Sequence, residues 1–156
     1  MDKAKSVLTT EQAAELLKGA MEARDHAYTP YSHFHVGAAL LTKEGKVYQG
    51  CNIENAAYSP SVCAERTAFF KAVYEGERNF KAIAIMGGPE TVKGPDCDIC
   101  APCGICRQVM MEFCDPGTFE ILLGTPEKYE IYTLKELLPL GFGSANLKKN
   151  KFGKIS

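Results

Sequence analysis

Apolar positions near the start of the chain recur at helical spacing: Ala13, Leu16, Leu17, Ala20 and Met21 fall on one face of a segment running from about residue 11 to 25. Thr9 or Thr10 caps this helix, and Thr9 with Gln12 has the spacing of a capping box. Tyr28-Thr29-Pro30-Tyr31 stops it. FHVGAALLT (34–42) and VYQGCNI (47–53) are apolar, partly β-branched runs separated by the polar turn KEGK. They predict an antiparallel hairpin that ends near Asn52. Helical spacing returns from Cys63 to about Glu75 through Ala64, Ala68, Phe69, Ala72 and Val73, with Gly76 placed to end the helix. KAIAIMG (81–87) reads as a buried strand, Gly88 to Pro102 as a loop, and Cys103 to Phe113 as a second helix closed by DPG. TFEILLG (118–124) and YEIYTL (129–134) add two strands, and LKELLPL (134–140) predicts a last helix. Five strands interleaved with helices and opening on a hairpin predict an α/β fold of three layers, a mixed five-stranded sheet with helices on both faces. The site then belongs to loops at strand ends. No repeat or linker breaks the pattern, so residues 1–156 read as a single domain.

Composition removes several function classes. A hydrophobic content of 46% suits one ordinary domain able to bury a core. Eighteen basic against nineteen acidic residues give a net charge of -1, and the basic residues are scattered except in the terminal LKKNKFGKIS. A nucleic acid polymer is therefore not the expected partner, because binding a phosphate backbone needs a clustered positive face. The lysine-rich tail reads as a solvated terminus. MDKAKSVLTTEQAAELL lacks the apolar core and cleavage pattern of a signal peptide, and no run of about 18 apolar residues predicts a membrane span. Seven cysteines, an odd number, weigh against a complete disulfide framework, and the lack of an export signal points to a reducing cytoplasm, where thiols are free for metal or catalysis.

Cys63 falls at the start of one predicted helix, and PCGIC puts Cys103 and Cys106 at the start of another. Cysteines three apart on a first turn project to the same side. Their sulfurs can share one ion, and two facing helix N-termini would stabilise thiolates. Three such ligands with a fourth position open is the arrangement of a catalytic rather than a structural zinc. Glu65, two residues after Cys63, is placed to move protons at that open position rather than to bind the metal. Scattered cysteines alone are more often buried small residues or a structural zinc site; the adjacent carboxylate and the paired helix starts reverse that weighting. His26, His33 and His35 have no metal spacing among themselves. GPDCDICAPCGIC carries two further cysteines, Cys97 and Cys100, giving a run close to an iron–sulfur spacing, but the last gap is short and no proline follows Cys106. Cys97 and Cys100 are expected not to be ligands, with a zinc register that uses Cys100 as the open alternative.

CAERTA followed by PCGICRQ resembles the zinc-dependent cytidine deaminase signature, in the form where cysteine replaces the histidine of H-x-E. PYSHFHVGAALLTKEGKVYQGCNIENAAYS is similar to the small, homotetrameric bacterial-type members, and the likeness runs from about residue 11 to 147. The Cys97–Cys100 loop is longer than is typical of that family. The resemblance implies one Zn²⁺ per subunit on Cys63, Cys103 and Cys106, with Glu65 as proton carrier. It also implies ribose contacts from Asn52 and Glu54, Phe34 beside the nucleoside, and the backbone of Ala64 on the pyrimidine edge. Arg66 matches an arginine that hydrogen-bonds the ligand thiolates, whose charge it would offset. Tyr58 and Phe142 would reach a neighbouring subunit's pocket, giving a homotetramer with shared active sites. The implied reaction is hydrolytic deamination of cytidine and deoxycytidine in pyrimidine salvage, with free nucleosides preferred because Glu54 repels a phosphate. Two other readings stand beside it: a deaminase for a modified nucleoside such as blasticidin S, and a module in which the cysteines brace a fold or hold an iron–sulfur cluster. Intact NIEN and CAERTA favour cytidine.

Overall fold

The computed structural model describes residues 6–148. MDKAK and the last eight residues of the lysine-rich tail lie outside the described residues, so the expectation of a solvated terminus is left where the sequence put it.

Helix α1 (Thr10–Arg24) starts on the predicted capping box: the Thr9 hydroxyl accepts from the Gln12 N–H, and the Gln12 side chain accepts from the Thr9 N–H. A cap of this kind contributes about 1 kcal/mol. Strands β1 (Phe34–Thr42) and β2 (Val47–Cys51) form the expected antiparallel hairpin, in register from Gly37 opposite Cys51 to Leu41 opposite Val47. Strand β3 (Phe80–Pro89) runs antiparallel along the other edge of β1. Strand β4 (Glu120–Gly124) is parallel to β3, and β5 (Tyr129–Thr133) closes the sheet antiparallel to β4, giving the order β2-β1-β3-β4-β5.

Alternation along the strands divides the interior into two cores. Leu16, Leu17 and Ala20 of α1 pack on Ala39, Leu41, Ala82, Ala84, Met86 and Leu122. On the opposite face, α2 (Ala64–Tyr74) and α3 (Gly104–Phe113) lay Ala68, Phe69 and Met110 against Leu40, Ile83, Ile85, Ile121 and Leu123. The three-layer mixed sheet expected from the sequence is the fold observed. Helix α2 comes so close to β2 that a Cβ on Gly50 would lie 2.5 Å from both the Ala64 carbonyl oxygen and the Ala68 nitrogen. Only glycine lets the helix backbone rest there, and this contact sets the height of the α2 N-terminus above the sheet.

Arg24, 3% exposed, ends α1 by donating from Nε to the carbonyl of His35 and from one terminal nitrogen to the carbonyls of Gly88 and Pro89. It ties the beginning of β1 to the end of β3, which is why β3 runs two residues past its predicted limit. The connection after it contains a short 3-10 turn, Gly94–Asp96. Helix α4 (Leu134–Leu137) is a single turn rather than the seven-residue helix predicted, because Pro139 disfavours helical backbone at Leu138. A further short helix, α5 (Ser144–Lys148), was not predicted. No helix among the described residues is long and apolar enough to cross a membrane.

Candidate metal and active site

Cys63 and Cys103 are the N-cap residues of α2 and α3, both with extended backbone and neither with a side-chain capping hydrogen bond. Their sulfurs are thus not spent on the helices they begin. The first-turn N–H groups of both helices lack intrahelical partners and lend positive potential to whatever lies between them. Cys106 projects from the first turn of α3. The Sγ–Sγ distances are 3.8 Å for Cys63–Cys103 and 3.4 Å for Cys103–Cys106, and all three sulfurs lie within 4.8 Å of one another. Sulfurs bound tetrahedrally to one zinc at about 2.3 Å stand about 3.8 Å apart, so the donor set fits that ion.

The electrostatics fit as well. Arg66 directs a terminal nitrogen to the Cys63 sulfur at 3.7 Å and to the Ser61 carbonyl, while its buried Nε has no hydrogen-bond partner among the described residues. A guanidinium held against three thiols is matched to a site where thiols become thiolates. The Cys63 thiol is pulled down to about 5 by a hydrogen bond from Cys106 and by Arg66 and Cys103, against the opposing effect of burial. Cys106 is pushed up by its hydrogen bond to Cys63 and by burial.

Glu65, in the first turn of α2, is 4% exposed. One carboxyl oxygen accepts from the Cys106 thiol at 3.7 Å. Burial chiefly raises its carboxyl to about 7, and the charge on Cys63 adds to the rise. A carboxyl so placed exchanges protons close to neutrality.

A cavity of about 260 Å³ opens beside this cluster, lined by Val36, Asn52, Glu54, Ser61, Cys63, Glu65, Cys100 and Cys103 among others. A larger groove, about 490 Å³, runs between α1 and the β1–β2 hairpin but meets none of these groups; chemistry rather than size locates the site. Asn52 is held by both ends of its amide, accepting from the Val36 N–H and donating to the Phe34 carbonyl, each at 2.8 Å. Glu54 accepts from the N–H groups of Tyr31 and Ser32, and the Ser32 N–H in particular holds its carboxyl below the usual range.

Of the residues expected around a ligand, Cys63, Cys103, Glu65, Asn52 and Glu54 line this cavity, and Ala64 is fully buried at the start of α2. Cys106 reaches it through its contact with Glu65. Phe34 lines an adjoining cavity instead. Tyr58 (71% exposed) and Phe142 (59% exposed) stand outside both; Tyr58 packs edge-on against Tyr31.

The two additional cysteines straddle β3. A Cβ on Gly87 would lie 2.7 Å from the Cys100 sulfur, and one on Gly88 would lie 3.0 Å from the Cys97 sulfur. Successive strand residues face opposite sides of the sheet. Cys97 therefore belongs to the α1 core and Cys100 to the face of the metal site, and the four cysteines of the loop cannot surround one iron–sulfur cluster. Neither joins the three-thiol group. What sequence reasoning missed is Cys100 as part of the cavity wall; its only signal is the pair Gly87-Gly88, which leaves room for a thiol on each face.

A mixed α/β sheet that brings two helix N-termini together around three thiols and a buried carboxyl defines a metal-dependent hydrolase of the deaminase kind. The family described as the cytidine and deoxycytidylate deaminase zinc-binding region matches residues 10–119, and this chain belongs to it. Its metal is zinc, which the three-cysteine cluster fits. Among curated relatives, a cytidine deaminase from Sporosarcina psychrophila is 48% identical over 133 residues, 85% of this chain and 93% of the relative. A blasticidin-S deaminase from Bacillus cereus is 31% identical over 134 residues, covering 85% and 94%. The crystal structure of a cytidine deaminase from Burkholderia pseudomallei superposes with a TM-score of 0.73 at 45% identity, covering 82% of this chain and 97% of that one.

Proposed function

We propose that the protein hydrolytically deaminates cytidine and deoxycytidine to uridine and deoxyuridine, releasing ammonia, as a step of pyrimidine salvage. The observation that carries this reading is the meeting of Cys63, Cys103 and Cys106 within 4.8 Å, against the buried carboxyl of Glu65. The relatives from Sporosarcina psychrophila and Burkholderia pseudomallei, both cytidine deaminases, support the choice of substrate.

In this reading the three cysteines hold one zinc ion per subunit, and Arg66 offsets part of the charge of the thiolates. Zinc, when bound, lowers the pKa of water and so supplies a nucleophile at neutral pH. Glu65 accepts a proton from the attacking water on its carboxylate and delivers it to N3 of the base. As the new C4–O bond replaces the C4–N bond, Glu65 carries a second proton to the departing nitrogen, which leaves as ammonia. The first-turn backbone at Ala64 meets the pyrimidine edge. Asn52, already fixed by β1, retains one amide hydrogen and one lone pair for the ribose hydroxyls. Glu54, kept ionised by its backbone donors, accepts from the ribose and repels a phosphate at the same end.

The test follows the ultraviolet absorbance of cytidine together with ammonia release, and repeats the assay on cytidine monophosphate and on blasticidin S. The expected result is one uridine and one ammonia per cytidine, with the nucleotide turned over at least ~5-fold more slowly, the size of a single like-charge repulsion across a hydrated site. No turnover of cytidine would sink the reading; equal rates on the nucleotide would remove Glu54 from it; preference for blasticidin S would move the substrate to that class.

We further infer one domain over residues 1–156, supported by a single sheet covered on both faces. A zinc site of reduced thiols supports a cytoplasmic location, and a detected export of the protein in its native cell would contradict it. The exposed Tyr58 and Phe142, with Ile105 and Leu140 also exposed, support a homotetramer whose subunits share active sites. A monomeric mass at equilibrium in sedimentation would refute that assembly.

A further inference from the structure

The cavity beside the metal cluster has a neighbour of about 350 Å³, lined by Phe34, Val92, Asp96, Cys97, Asp98 and Ile99 together with the Gly87–Pro89 end of β3. Cys100 lines both cavities, and it is the one residue common to the two linings. Its thiol is seated in the notch that Gly87 leaves open: a Cβ at Gly87 would meet the Cys100 sulfur at 2.7 Å, its Cβ at 3.1 Å and Val36 Cγ2 at 3.1 Å. Val36 lines the metal-side cavity, whereas Gly87 lines the neighbouring one. The Cys100 side chain thus stands where the two spaces adjoin, wedged by its neighbours.

Its position relative to the chemistry follows from what shares its wall. Glu65, Cys63 and Cys103 line the same cavity, and Glu65 and Cys63 are near enough for their charges to act on the Cys100 thiol. In the deaminase reading the carbon that exchanges nitrogen for oxygen lies against Glu65 and the sulfurs, so its exocyclic nitrogen is bound near the wall they share with Cys100. Beyond that wall, Phe34, Val92 and Ile99 offer an apolar lining of the kind that takes an alkyl group.

We propose that Cys100 is a specificity-determining partition, whose side-chain volume decides whether the site accepts a pyrimidine nucleoside alkylated on the exocyclic nitrogen. The inference rests on the deaminase reading above and extends it to a substrate class. For N4-methylcytidine the balance is simple: water adds its oxygen to C4, the C4–N bond breaks, one water proton ends on N3 of the product and the other on the departing nitrogen, and uridine and methylamine form without any oxidant or reductant.

The experiment measures kcat/KM for cytidine and N4-methylcytidine with wild type, Cys100→Ala, Cys100→Ser and Cys100→Val, each with its zinc content. Shortening the wall in Cys100→Ala should raise the ratio of N4-methylcytidine to cytidine by at least about 10-fold, the low end of what one missing methylene-sized group is worth in a pocket. Cys100→Ser, whose oxygen is smaller than sulfur and sits nearer the backbone, should fall between wild type and Cys100→Ala, and the bulkier Cys100→Val should lower the ratio. A ratio unchanged within about threefold in both the alanine and valine variants, with zinc retained, overturns the proposal. So does a rise in Cys100→Ser beyond that in Cys100→Ala, which would make polarity rather than volume the cause. If Cys100→Ala does not fold, the serine and valine variants decide the matter in the same way. A wild type without cytidine turnover would refute the deaminase reading itself, a result separate from an unmoved ratio.

Discussion

Glu65→Gln is expected to retain one zinc per chain and to lose about two to four orders of magnitude in kcat, the contribution of a positioned general acid and base. Glutamine keeps the shape of the side chain and an oxygen to face Cys106, but it cannot take up and release a proton near neutrality. If Glu65 were a ligand, zinc would fall with activity; in the structure its contact is to a sulfur of the cluster rather than membership of it. The melting temperature separates loss of chemistry from loss of fold. The near-isosteric amide leaves no gap at a side chain buried to 4% exposure and removes the desolvation cost of a buried carboxylate, so the variant should melt no lower than wild type. Zinc measured by emission spectroscopy, beside kcat from cytidine absorbance, checks both halves. Equal turnover would remove Glu65 from the mechanism.

Cys103→Ser carries the second large effect. Cys103 is exposed while Cys106 is 1% exposed in the core, so its replacement disturbs packing least and reports on the metal. Loss of one of three thiolate ligands must cost more than the about 10- to 100-fold that removal of an outer-shell partner costs. Zinc should therefore fall well below one per chain after dialysis, and activity with it. Because a ligand that binds only the folded state stabilises it by mass action, the same variant should melt lower than the loaded wild type and match wild type stripped by a chelator. Full zinc in Cys103→Ser would mean that another group, with Cys100 the nearest thiol in sequence, completes the set.

Much of this site could be read before any coordinates. The capping box at Thr9, the helical spacing from Cys63 and the first-turn pair Cys103 and Cys106 are local signals, and each appears where it was expected. The hairpin follows from two apolar runs parted by the polar KEGK turn, whereas its register is seen only in the structure. The meeting of Cys63 with cysteines 40 positions away is a property of the sheet order and the two crossing helices, which no spacing encodes. The family likeness supplied that link.

What stayed illegible depends on tertiary context. Gly88 reads as the start of a loop, yet its pairing with His35 and the grip of Arg24 on the Gly88 and Pro89 carbonyls keep it in β3. Asn52 carries no sequence mark of its double hold on β1. Phe34 lines the cavity that shares Cys100 with the metal-side one, a placement no local pattern marks. The helix predicted over LKELLPL stops early for a local reason, Pro139, that the apolar pattern outweighed in the reading.

On the proposed reading three sulfurs, and not four, hold the metal. X-ray absorption at the zinc edge of the purified protein tests it directly. The account predicts three sulfur neighbours at about 2.3 Å and one lighter neighbour at about 2.0 Å. Four sulfurs, or a site without sulfur, would contradict it.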